Sequence, residues 1–120
     1  MSAALAIPTA HFAAPALDAR VRIPERCTTL GITREFLAVY VGISKGEMSK
    51  RIQSGFTGPQ TLALDEALND IEWMLEHFHP LRPPMTPETA WRVKNFIRAC
   101  REMQSLTHKE IREVWESVAA

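Results

Sequence analysis

Residues 33–55 read TREFLAVYVGISKGEMSKRIQSG. Two short helices that cross steeply need a small residue at the crossing, a residue that accepts a left-handed turn, and apolar side chains from both helices facing inward. This stretch supplies all three. Thr33 has the hydroxyl of an N-cap, and Leu37, Ala38 and Val41 fall on one helical face with Ala38 as the small contact. Gly42 stands at the turn, where a positive φ is least strained in glycine. Ile43 follows as an apolar plug and Ser44 caps a second helix, 45–54, in which Met48 and Ile52 are four apart and face back to the first. Gly55 closes it. The spacing predicts a helix, a tight turn and a second helix.

Around this unit the composition is that of an ordinary globular chain: 120 residues, 46% hydrophobic, 23% charged, with formal net charge zero. Neutrality argues against an indiscriminate nucleic-acid binder. The distribution is more telling. From Arg20 to Gln60 seven Lys or Arg face three Glu, a net of +4, whereas Thr61 to His79 holds five acids and no Lys or Arg, a net of −5. The basic part coincides with the helical pair, where a phosphate-facing surface has to be. Apolar runs fall far short of the roughly 20 residues a membrane span needs, and Leu5 to Ile7 is too brief for a signal-peptide core, so no membrane partner and a cytoplasmic location are expected. Cys27 and Cys100 lack metal-ligand or CxxC spacing and read as reduced thiols in apolar space.

Proline divides the rest. Residues 1–26, rich in Ala and Pro, read as a flexible arm; 27–79 as the helix-turn-helix unit; 80–85 as a proline-rich linker; and 86–120 as a helical hairpin that packs on the unit and dimerises. Within the hairpin, Thr86-Pro87-Glu88 offers an N-cap with proline at the first helical position, ahead of the stripe Val93, Phe96, Ile97, Cys100 and Met103. Thr107-His108-Lys109-Glu110 is a capping box opening a last helix striped by Ile111, Val114, Trp115 and Val118. No segment alternates with period two for long enough to predict a strand, so the expected class is all-α.

The run from Leu37-Ala38 through Val41-Gly42-Ile43 to Met48-Ser49-Lys50-Arg51-Ile52-Gln53-Ser54-Gly55 resembles the Cro and lambda-repressor-like (XRE-type) helix-turn-helix family. The segment from Pro59 to Phe78 is similar to that family's next helix. The likeness covers about Leu30 to Phe78 and departs at Met48, where Ile or Val is usual, and at Gly46, which lowers helix propensity and removes one side chain that would read bases. It implies a sequence-specific double-stranded DNA-binding transcriptional regulator of phage repressor type, working as a homodimer, with the second helix in the major groove. By position, Lys45, Ser49 and Lys50 read bases, and Thr33, Arg34, Ser44, Arg51 and Gln53 contact phosphate. Glu47 either accepts from cytosine or pairs with Arg51 four residues on.

No nucleophile elbow, phosphate loop or metal motif is present, and His11, His77, His79 and His108 have no ligand-spaced partners, so neither an enzyme, a metal nor a cofactor is expected. The stripe Leu64, Leu68, Ile71, Leu75 and Phe78 puts Trp73 on the opposite side of its helix, and Trp91 lies off the Val93 stripe. Either the hairpin folds back over Trp73, or these tryptophans form a dimer or partner surface. The latter sustains a rival reading, a phage-type protein that inhibits a host machine through a helix-turn-helix scaffold.

Overall fold

The computed structural model describes residues 18–78, 81–103 and 105–118. Among them are six α-helices, one 3-10 turn and no strand, so the all-α expectation holds.

Helix α1 spans Ala19–Leu30, so residues 19–26 belong to a helix and not to the expected arm; residues 1–17 of that arm lie outside the described residues. Pro24 sits inside α1 and removes one helical hydrogen bond. What offsets this is the seating of its neighbours: Ile23 and Cys27 are buried, and Arg22 and Arg26 reach acids on α4. Gly31 ends α1 at φ 73°, its N–H donating to the Thr28 carbonyl at 3.1 Å.

Helix α2 spans Arg34–Val41 and α3 spans Lys45–Ser54. Both caps are as the sequence indicates. Thr33 Oγ1 accepts from the Phe36 N–H and Ser44 Oγ from the Glu47 N–H, each at 3.0 Å. Gly42 takes φ 85°, and the Ile43 N–H closes the turn on the Ala38 carbonyl at 2.9 Å. Beyond Leu37 and Ala38, α2 also buries Phe36 and Tyr40, because it lies at the centre of the molecule and packs against α1, α3, α4, α5 and the 3-10 turn. From α3, Met48 is buried and Ile52 half-buried against the same core.

Helix α4, Gly58–Phe78, starts from a reciprocal cap: the Thr57 N–H donates to Gln60 Oε1 and the Gln60 N–H to Thr57 Oγ1. Its buried face adds Ala67 and Met74 to the expected stripe, with Leu75 half-buried. Residues 81–85, in the expected linker, have no regular secondary structure but are held to the fold. Pro83 is buried, and Arg82 Nη2 donates to the Gly31 carbonyl at 3.0 Å, tying this segment to the end of α1. Pro87 opens the 3-10 turn Pro87–Thr89, not the helix itself, and α5 runs over Ala90–Arg101, leaving Met103 past its end and exposed.

Helix α6, His108–Ser117, opens on the expected box: the Thr107 N–H donates to Glu110 Oε1 at 2.9 Å and the Glu110 N–H to Thr107 Oγ1 at 3.1 Å. The Arg92 guanidinium lies 3.7 Å from the centre of the Trp115 ring and donates to its carbonyl, which joins α5 to α6. The buried residues form one core running from Ile23 to Ile111, so the hairpin uses its apolar stripe within the chain. Both cysteines are buried free thiols inside it, and burial pushes each up to about 11. No described helix is long and apolar enough to cross a membrane.

Candidate nucleic-acid interface

Helix α3 sends Met48 inward, and this fixes what faces out. Lys45, Ser49 and Lys50 are all exposed. Arg34, at the first turn of α2, joins Glu35, Lys45, Met48 and Ser49 around a cleft of about 180 Å³ between the two helices. The fold therefore brings Arg34, with Glu35 next to it, beside the outward face of α3. Thr33 and Ser44 flank this cleft in sequence, each hydroxyl oxygen accepting one backbone N–H while its own O–H remains a donor.

Pairing decides which charges remain free. Arg20 pairs with Asp18 at 2.8 Å, Arg22 with Asp65 at 2.5 Å and Arg26 with Glu72 at 3.4 Å. Arg51 is held by Glu47 at 2.8 Å, so Glu47 takes the intrahelical partner that its spacing allows and Arg51 is half-buried and neutralised. Gln53 is exposed, and its backbone carbonyl lies 3.5 Å from the Arg20 guanidinium. Asp70 of α4 is matched by Arg101 at 3.0 Å. The segmental charge contrast in the sequence thus cancels in part across the contact between α1 and α4, through Asp65 and Glu72. Arg34, Lys45 and Lys50 keep no acidic partner among the described residues, and all three sit on the helical pair.

The two tryptophans separate. Trp73 is half-buried: it stacks on His77 at 5.0 Å, meets Phe78 edge-on, and lies under the Arg101 guanidinium at 4.8 Å. The hairpin lies against part of Trp73, which also lines a cleft with Cys100, Met103 and Ile111. Trp91 is 56% exposed with Lys94 Nζ 5.2 Å from its ring. His77 Nδ1 contacts the Trp73 carbonyl at 2.8 Å, one turn earlier in the last turn of α4. His11 and His79 lie outside the described residues, and among these no group of three His, Cys, Asp or Glu is arranged to hold a metal.

Two features had no clear signal in the sequence. Arg82 reaches back 51 residues to α1, a contact between a proline-rich stretch and a helix end that no local pattern marks. Tyr40 sits where a core residue of α2 belongs, so its spacing gives only burial and hides its open hydroxyl. In comparisons with known proteins, the chain matches no family model, no curated protein and no solved structure.

Proposed function

We propose that the protein is a sequence-specific double-stranded DNA-binding regulator of transcription, of phage repressor type, which acts in the cytoplasm as a homodimer and places α3 in the major groove. The observation that carries this is the charge left over after pairing: Arg34, Lys45 and Lys50 are the cations of the Arg20 to Gln60 stretch without an acidic partner among the described residues, and they stand on the two helices that a groove-binding pair would present. The likeness of residues 37–55 to the Cro and lambda-repressor-like family points the same way. Lys45, Ser49 and Lys50 then read base edges. Arg34 contacts phosphate with the Thr33 and Ser44 hydroxyls, while Arg51 and Gln53 contribute at the flank, Arg51 through the guanidinium nitrogens that Glu47 leaves free.

Selection from random duplexes followed by a gel shift tests the reading. Enrichment of a defined sequence is expected, with Lys50→Ala and Ser49→Ala each weakening that duplex by about 1 to 3 kcal/mol more than random DNA. Equal losses on both would remove the base-reading role.

A second reading, a protein-binding inhibitor of a host machine on the same scaffold, is favoured by Trp91, an exposed aromatic of the kind that anchors protein interfaces. On that reading Trp91→Ala abolishes activity while Lys45→Glu with Lys50→Glu is tolerated. On the regulator reading the double charge reversal abolishes activity in cells with the fold intact, and Trp91→Ala matters only through dimerisation.

A further inference from the structure

Tyr40 presents an uncommon combination. Its side chain is 4% exposed, yet its hydroxyl has no hydrogen-bond partner among the described residues, whereas a buried tyrosine ordinarily finds one. Among the described residues, side-chain polar atoms that are fully shut off from solvent all have partners, so the Tyr40 hydroxyl is not sealed; the residue lines two clefts. The larger, about 360 Å³, lies where α2, α4 and α5 meet. Burial above all, with a contribution from Asp70, raises the phenol well above its ordinary range against the opposing pull of Arg98 and Arg101, so it stays protonated and able to donate.

The other charged groups around the larger cleft are three cationic donors and two acids, Asp70 and Glu102. Lys94 Nζ lies 5.8 Å from the centre of the Tyr40 ring, and Arg98 follows one turn along α5, exposed and without an acidic partner among the described residues. Arg101 is already matched by Asp70. Ile97, buried, forms an apolar wall. Glu102 at the rim, and Glu66 in the smaller adjoining cleft, limit how much negative charge can enter.

We propose that this cleft is a binding site for a small oxyanion, a phosphate monoester or a carboxylate, held by the Arg98 guanidinium, the Lys94 ammonium and the Tyr40 hydroxyl. Three donors around one opening fit a group that offers several acceptor oxygens, and a guanidinium fork matches the geometry of either oxyanion. The flanking acids favour a compact anion over a polyphosphate. The site is separate from the face of α3: Arg34 and Tyr40 stand at opposite ends of α2, about 9 Å apart along its axis. The inference does not rest on DNA binding.

The test uses the intact protein without DNA. Its melting temperature and calorimetric binding are measured with inorganic phosphate, glycerol phosphate, acetate and benzoate, against sodium chloride at matched ionic strength. At least one oxyanion is expected to raise the melting temperature above the chloride control. Whether the phosphates or the carboxylates do so identifies the ligand class. Arg98→Gln is expected to weaken that binding about tenfold and Tyr40→Phe about fivefold, the loss of a charge-assisted and of a neutral hydrogen bond. Tyr40→Phe keeps the ring in the core and Arg98 is exposed, so both variants should melt in chloride as the parent does. If Tyr40→Phe melts early, Lys94→Gln replaces it with the same expectation. No oxyanion effect beyond chloride, or binding that survives both substitutions, would overturn the proposal.

Discussion

Gly46 allows stability and DNA affinity to be driven in opposite directions by one methyl group. It is the second residue of α3, and a Cβ built on it meets only Ser44 Oγ at 3.9 Å, an ordinary contact. It is not among the positive-φ glycines, so alanine fits its backbone. Glycine lowers helix stability by about 0.8 to 1 kcal/mol relative to alanine at an interior position, and somewhat less in a first turn, so Gly46→Ala should stabilise the protein by about 0.5 to 1 kcal/mol. For roughly 100 ordered residues this raises the melting temperature by about 2 to 6 °C. On a wheel of about 100° per residue, however, Gly46 falls between Ser49 and Lys50, in the middle of the arc that faces the proposed groove. The methyl should therefore weaken the selected duplex while it stabilises the fold. Urea denaturation and a gel shift on one preparation measure both. An unchanged or lower stability would refute the account of the first turn of α3, and a stabilised variant with full affinity would show that no duplex approaches that arc.

Other perturbations separate the remaining claims. Arg34→Ala should weaken selected and random DNA alike and make the fall of affinity with salt less steep, because it removes one phosphate contact and its released counterion; the check is a gel-shift salt series. Phe96→Ala empties the core where Phe78 and Trp115 meet that ring, and should destabilise by about 3 to 5 kcal/mol in denaturant. Ending the chain at Pro84 uncovers the side of α2 that packs on α5 and should leave a marginal or unfolded product, with loss of the sharp thermal transition. The carboxyl of Glu110 is lowered mainly by its bond from the Thr107 N–H, so its contribution is present above the ordinary carboxylate range and is lost as the pH falls through its lowered value. Glu110→Gln should therefore narrow the difference in melting temperature between pH 6 and pH 3.

What was legible in the sequence was chemistry confined to a few neighbours. The Thr33, Ser44 and Thr107 caps, the Gly42 turn and the Met48 contact each depend on residues within about one helical turn, and each stands where its spacing put it. Long-range compensation was not legible. Pro24 marks a break by local rules, but α1 persists because Ile23 and Cys27 are buried in the core, with Arg22 reaching Asp65 43 residues away. The prolines of 80–85 mark a linker but not where it docks, and Arg82 has its acceptor on Gly31. Segment charge sums could not show that Arg22 and Arg26 of α1 would pair with Asp65 and Glu72 of α4, which leaves the candidate interface with fewer free cations, placed closer together. Trp73 lay off its own helix's stripe for a sound reason: its cover comes from Arg101 on α5.

The central place of α2 also affects the newborn chain. Helix α3 is fully synthesised at Ser54, but α2, against which it is set, still lacks the α5 surface that ends near Cys100, 46 residues later. At about 5 to 20 residues per second, synthesis needs roughly 2 to 9 s to supply it. Throughout that interval Phe36 and Tyr40 are without part of their native cover. The packing of α2 therefore cannot be completed until the buried face of α5 has been synthesised.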